Sequence, residues 1–551
     1  MKKKPSVSRY LLFDTISNYA VVLMRLISGV LMVRAYFTTL SLSDYGLWVW
    51  LWTFFGYLAL LDLGFGPSLE RKAAVLNSLS TRISSKRFLA LRAIFIRDFT
   101  AVIIYFFFIS ILMAFAISIF AYGFDGAFLK MLISDQSNRE AFYAELFIVF
   151  GLLSLFFFPT GIFLEVLKGL GHILVRNICI FFSTLLHLLL SIYWLETYEN
   201  PLVGLTFIQI GLQGAMQILV GFFVWRKLKS LSSKSLSSNG VKNNRERNFF
   251  SFYLTLPKLF VRLKMMKGFS FNAYFVLLAS IIVFKFDALT ISIFVSLKEV
   301  SFYQIASRPA FIFDLFVNQF QESFTALASR WHSEKDSDRL LLLFTLGNRL
   351  VAFLALPSFF FLSLIMEPLL YFWVGIKSDQ AVFAAIILLA AFCTVALFRS
   401  VTAKILMMSG HHKWMGRVAL FETMVKLITS VIFALAWGFI GVVFSTLLCS
   451  VVFSLFFILP KSCKHFSQSI PRFLQQNLLI PFFSASLAAI FLYGYMQFNI
   501  IKPWSFLDFG LVALIYSAIY LMSFYLFLSS SDRDFIKINL VDRIKVGLFS
   551  S

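Results

Sequence analysis

The sequence predicts an all-α integral membrane protein with about 14 transmembrane helices, arranged as two pseudo-symmetric six-helix lobes and a C-terminal helix pair. Three observations predict it. Hydrophobic residues make up 60% of the chain and phenylalanine alone fills 71 positions, more apolar surface than a water-soluble core can hide. Lysine and arginine alternate in density from loop to loop, and two weakly similar sets of helices flank a basic linker. A bilayer core of about 30 Å asks for about 20 apolar residues per helix. Lipid also demands that each backbone amide be satisfied within its own segment, and the alternating polarity of a spanning β-barrel is absent.

In chain order the spans are 11 to 36, 45 to 66, 99 to 121, 144 to 167, 178 to 195 and 202 to 225, giving a first lobe over residues 1–225. The first span follows Met1-Lys2-Lys3-Lys4 as a signal peptide would, but it is too long, carries Arg25 and Arg34, and lacks a small-residue cleavage site. It reads as a retained helix. Residues 226–268, rich in Ser, Asn, Lys and Arg, read as a flexible cytoplasmic linker. A second lobe over 269–460 holds spans 269 to 295, 301 to 327, 350 to 371, 381 to 403, 416 to 437 and 439 to 459, the last two separated by Gly438 alone. Residues 461–551 add spans 478 to 498 and 506 to 529 and a tail.

Of the 49 lysines and arginines, 38 fall in the tails and even-numbered loops, which the positive-inside rule makes cytoplasmic together with both termini. The net charge of +22 is therefore a matter of topology and of attraction to membrane lipids, and implies no nucleic-acid partner. The four cysteines lack metal-ligand spacing, and His411 and His412 lack companion ligands, so no metal or other cofactor is expected. No loop is long enough for a folded enzymatic domain, and the longest periplasmic one, 122 to 143, has no acid/base pair.

The two lobes read as copies. SNYAVVLMRL (from Ser17) lies on FNAYFVLLAS (from Phe271), SLSDYG (from Ser41) on SLKEVS (from Ser296), and LKGLGH (from Leu167) on LMMSGH (from Leu406). Copies of six helices enter the membrane from the same side and are related by an axis along its normal, an architecture suited to alternating access.

Ionisable groups within spans cost about 2.5–3.5 kcal/mol each on insertion scales and mark cavities or pairs. On the eighth span Gln304, Arg308, Asp314, Asn318, Gln321 and Glu322 share one arc, opposite Phe302, Phe313, Phe316 and Phe320. Arg25 faces a cavity with Asn18 and Gly29 on the first span, whereas Arg34 reaches the headgroups. Lys285 and Asp287 are two apart, so one of them lines the cavity. Glu422 and Lys426 are four apart, consistent with an internal ion pair or with ligand contact. Glu165 lies at the cytoplasmic boundary. With Arg399, the basic set Arg25, Lys285, Arg308, Arg399 and Lys426 suits an anionic cargo, phosphate above all. Asp62, Asp287 and Asp314 suit exchange of a proton or sodium ion during transport.

The stretch SLSDYGLWVWLWTFFGYLALLDLGFGPSLERKAA, from Ser41 to Ala74, resembles the second-helix signature of the O-antigen and polysaccharide flippases (Wzx type) of the multidrug/oligosaccharidyl-lipid/polysaccharide exporter superfamily, with entry Asp44-Tyr45-Gly46 and exit Leu61 to Gly66. The resemblance implies a non-enzymatic transporter of the bacterial inner membrane that moves an undecaprenyl-diphosphate-linked oligosaccharide to the periplasmic leaflet. It also implies partners in the polymerase and chain-length regulator of the same pathway. Twelve spans are common in that family and fourteen resembles the lipid II flippase branch, which leaves the subfamily open. A cation-coupled multidrug antiporter of the superfamily would favour an anionic cavity, and a membrane glycan polymerase or ligase would need a larger periplasmic loop.

Overall fold

The computed structural model describes residues 7–58, 65–79, 85–122, 144–151, 162–198, 201–237, 261, 286–333, 336–375, 377–406, 411–498 and 505–527. All elements among them are helical, and nine described helices are long and apolar enough to cross a membrane. Two compact units result: residues 1–285 with 296–298, and residues 286–295 with 299–551.

The first unit contains α1 (Val7–Thr39), α2 (Leu42–Leu58), α3 (Phe65–Leu79), α4 (Ser85–Tyr122), α5 (Ile162–Gly169), α6 (Ile173–Thr197) and α7 (Leu202–Ser237). α7 runs twelve residues past the span end at 225, so the linker begins as helix. α1 packs along α6, α6 along α7, and α3 against α4 and α5. The α3 stripe Phe65, Leu69, Ala73 and Leu76 recurs every three or four residues and meets Phe95 and Val102 of α4, Val166 of α5 and Val224 of α7. On the other side of α4, Phe107, Phe108, Ile111, Leu112 and Phe115 are exposed, a surface that fits lipid and not water.

The signature at 41–46 has a local physical cause. Ser41 Oγ accepts from the backbone N–H of Asp44 at 3.1 Å and donates to its carboxylate at 2.8 Å, a capping arrangement that starts α2. Tyr45, 1% exposed, packs beside Tyr36 and Phe37. Gly46 has no room for a side chain, since a Cβ would lie 1.9 Å from the carbonyl oxygen of Leu297. The turn after α5 is equally specific. Gly171, at φ +76, bonds Lys168 O at 2.9 Å and His172 N bonds Leu167 O at 3.2 Å, a glycine-closed helix end. Asn77 on α3 satisfies the Leu170 carbonyl of that turn at 2.9 Å.

The second unit contains helical residues 286–294, then α8 (Leu297–Ser333) from Glu299 on, α9 (Ser337–Val374), α10 (Asp379–Val395), α11 (His412–Val452), α12 (Leu459–His465), α13 (Ile470–Asn477), α14 (Leu479–Phe498) and α15 (Phe506–Phe527). α9 starts on an Asp336 cap that accepts from Arg339 N at 3.0 Å and ends at Gly375, φ +81. α10 continues to Leu406 through a π-helical turn, Ala396–Ser400, that carries Arg399.

α11 holds the eleventh and twelfth spans, divided where the sequence offered Gly438. Trp437 leaves helical geometry at φ −132, and Gly438 takes φ 62 and ψ −145, a backbone state open to glycine. The two halves run antiparallel, joined by hydroxyl contacts from Ser445 to Thr429 at 3.1 Å and to Ser430 at 2.9 Å. Gly441 permits the close return, because a Cβ there would sit 2.0 Å from Phe433 O. α14 and α15 pack on each other, and both also pack on α9, where Tyr520 donates to Phe353 O at 2.9 Å.

The two-sided reading of the eighth span needs correction. In α8 the buried stripe is Tyr303, Ala306, Ala310, Phe313 and Val317, while Ile312, Leu315 and Phe316 are exposed. Gln304, Arg308, Asp314 and Asn318 are half-buried between these faces. The phenylalanines thus divide between protein and lipid, two apolar surroundings that hydrophobicity does not distinguish.

Candidate functional site

A cavity of about 410 Å³ lies within the first unit, inside the range of about 300–1,000 Å³ typical of small-molecule sites. Its α1 wall is one stripe, Arg25, Ser28, Gly29, Met32 and Tyr36, so the cavity follows that helix for roughly 16 Å at about 1.5 Å per residue. Trp48 and Trp52 of α2 form an aromatic wall. Their rings meet in a T-shape at 5.8 Å, and Trp52 is held from another side by Phe150 at 5.3 Å. α6 contributes Ser183, Thr184 and His187, and α7 contributes Gln209, Gln213 and Gln217.

Arg25 is the permanently charged group of this lining. Among the described residues it has no carboxylate partner, and its electrostatic neighbour is a second guanidinium, Arg176, which also interacts with Glu165. Two like charges with no shared counter-ion among the described residues favour an anion between them. The helix pair that carries them is fixed by Asn177, 1% exposed, whose amide donates to Ser17 Oγ at 2.9 Å and Asn18 Oδ1 at 2.7 Å. Below this level Lys168 pairs with Glu70 at 2.9 Å, and Glu165 hydrogen-bonds Glu70.

In the second unit two cations of the spans, Lys426 and Arg399, are each paired with a carboxylate. Lys426 and Asp287, with side chains 1% and 2% exposed, meet at 2.8 Å. Asp287 Oδ2 also accepts from Thr446 at 2.9 Å and from the Tyr303 hydroxyl at 3.2 Å, and Lys426 donates in turn to Thr446. Arg399 pairs with Glu422 at 2.6 Å. Glu422 and Lys426, four apart on α11, thus each pair with a different helix. Asp314 hydrogen-bonds Asn318 and has Lys404 as an electrostatic neighbour. With its amide oxygen turned toward Arg308, Gln304 accepts from Nε at 3.1 Å.

The structure therefore joins Asp287 with Lys426 and Asp314 with Asn318, and places Arg25 in a cavity. Asp62 and Lys285 lie outside the described residues, as do the side chains of Gln321 and Glu322. The sequence reading passed over the uncharged lining. Gln209, Gln213 and Gln217 stand four apart in a span, and Ser183, Thr184 and His187 share an α6 face, so an amide and hydroxyl pattern at helical spacing was present.

No family model matches the chain, and no curated protein matches it. Solved structures do. The chain is similar to the lipid II flippase MurJ in an inward closed conformation, with 18% identity and a TM-score of 0.65 over 96% of this chain and 100% of that one. It is also similar to an inward-facing multidrug resistance MATE family transporter of the MOP superfamily, with 13% identity and a TM-score of 0.59 over 81% and 94% of the two chains. An outward-facing MATE structure gives 12% identity and a TM-score of 0.51 over 83% and 95%. At these identities the likeness is one of fold, in agreement with the expected all-helical membrane protein.

Proposed function

We propose that this protein is a flippase that carries an undecaprenyl-diphosphate-linked oligosaccharide repeat unit from the cytoplasmic to the periplasmic leaflet of a bacterial inner membrane by alternating access. The observation that carries the reading is Arg25, a guanidinium without a carboxylate partner among the described residues, in a cavity whose remaining lining is uncharged: amides, hydroxyls, aromatic rings and the apolar Met32, Leu164, Ile180 and Met216. Arginine takes phosphate through a bidentate fork, and a charge-assisted bond of that kind contributes about 1.5–3 kcal/mol. The likeness in fold to a lipid II flippase, whose cargo is a lipid, supports it. A proton or sodium gradient would drive the cycle, with Asp314 as an exchanging carboxylate. A cationic drug would meet Arg25 as a like charge, which disfavours an antiporter of such compounds.

Loss of the gene tests the reading. Lipid-linked repeat units should accumulate on the cytoplasmic face while their synthesis continues, and surface glycan should fall. Arg25→Ala should reproduce the export defect at near-normal protein abundance, because the side chain belongs to an exposed residue of α1. Normal surface glycan with impaired peptidoglycan would move the cargo to lipid II; normal glycan of both kinds with reduced drug export would replace the flippase reading by the antiporter.

A further inference from the structure

The amide and aromatic walls of the first unit's cavity are more than a phosphate site needs. Gln209, Gln213 and Gln217 set three carboxamides along one face of α7 over about 12 Å. Opposed to them in kind is the fixed Trp48–Trp52 pair, with Trp52 half-buried. His187 interacts with Gln209, and its Nε2, buried at the cavity wall, has no hydrogen-bond partner among the described residues.

Each of these features answers one property of a sugar. A carboxamide both donates and accepts, as a hydroxyl does, so a row of them matches a ring bearing hydroxyls at successive carbons. The C–H face of a pyranose is apolar and flat enough to lie on an indole, and a tryptophan held by neighbouring rings offers that surface without further ordering cost. An apolar ligand would take water from these carboxamides and return them no hydrogen bond. A multiply charged ligand would find Arg25 as the one permanent charge of the lining.

We propose that this cavity is a sugar-recognition subsite, with Trp52 as stacking platform and Gln209, Gln213 and Gln217 as the groups that read the hydroxyls of a neutral or N-acetylated sugar. Its place in transport rests on the flippase reading: the sugar next to the diphosphate enters the cavity while Arg25 holds the phosphate at one end of the α1 stripe. Selectivity for cargo then resides partly in α7.

Saturation-transfer NMR on the purified full-length chain in detergent micelles tests this, with the methyl glycosides of glucose, galactose, N-acetylglucosamine and N-acetylgalactosamine as probes. At least one glycoside should receive transfer at its ring C–H protons. Gln213→Ala should weaken its binding about tenfold, one well-made hydrogen bond's worth, and Trp52→Ala should abolish the transfer. If Trp52→Ala fails to fold, Gln209→Ala takes its place, since that residue is half-buried. Arg25→Ala should leave glycoside binding intact while glycan export fails. Absence of transfer from all four probes, or transfer that no cavity variant reduces, overturns the subsite. Accumulation of lipid-linked repeat units on gene loss without glycoside binding also overturns it and keeps the flippase reading. Glycoside binding with unaffected surface glycan does the reverse.

Discussion

Neutralising Lys426 alone should destabilise the second unit sharply, and neutralising its partner as well should return much of the loss. The pair sits eleven residues before the Trp437–Gly438 turn, so about 16 Å of helix separates it from that end of the hairpin, half of a bilayer core of about 30 Å. Neither water nor headgroups reach it there. Lys426→Met leaves Asp287 with two hydroxyl donors, Thr446 and Tyr303, and no counter-charge. Breaking a buried pair from one side costs about 3–5 kcal/mol, whereas replacing both charges by neutral groups of similar volume is often close to neutral. Lys426→Met and Asp287→Asn should each lose about 3–5 kcal/mol, and the double variant should show a coupling of at least about 2 kcal/mol. Reversible unfolding in mixed detergent micelles, followed by tryptophan fluorescence, measures all four proteins. A Lys426→Met protein within about 0.5 kcal/mol of the parent, or strict additivity in the double variant, would refute the reasoning.

Two further substitutions probe the frame around the sites. Gly441→Ala places a Cβ 2.0 Å from Phe433 O and must force the α11 hairpin open, so size-exclusion profiles of a fluorescent fusion should show little monodisperse protein. Asn177→Ala removes both amide bonds that tie α6 to α1 and should cost about 1–3 kcal/mol, read as a lower midpoint of thermal unfolding in detergent; an unchanged midpoint would assign that helix pair's alignment to its apolar contacts instead.

Spans such as 202 to 225, 350 to 371 and 478 to 498 were legible because lipid imposes length and apolarity together, and Gly438 was legible because two helices in one apolar run need a residue that tolerates positive φ. The Asp44-Tyr45-Gly46 entry was legible as a motif, and its structural content is a cap, a buried ring and a close backbone approach. Ion pairing was not legible. The i,i+4 rule joined Glu422 to Lys426, but both side chains point into the bundle, where partners from other helices desolvate with them. Faces of α8 were half legible, since Phe313 is buried and Phe316 is 56% exposed, and both are equally apolar. The glutamine row escaped because a search for charge passes over neutral groups that bind neutral ligands.

That oversight bears on how the cargo is held. Five basic residues within the spans suggested a broadly cationic interior, yet Arg399 and Lys426 are each matched by a carboxylate within 3 Å. A matched pair presents almost no net field to a ligand, and drawing either cation toward a phosphate would strand its partner at several kcal/mol. Arg25 carries no such debt, and Arg308 is engaged by a neutral amide of its own helix. In the flippase reading the phosphate grip therefore falls to Arg25, which has no carboxylate partner among the described residues, and the paired charges serve to join helices. Export should accordingly survive the double neutralisation Lys426→Met/Asp287→Asn and fail with Arg25→Ala, although the double change removes two charges from the span interiors and the single change removes one. Failure of both, with protein levels held equal, would return Lys426 or Asp287 to the transport cycle itself.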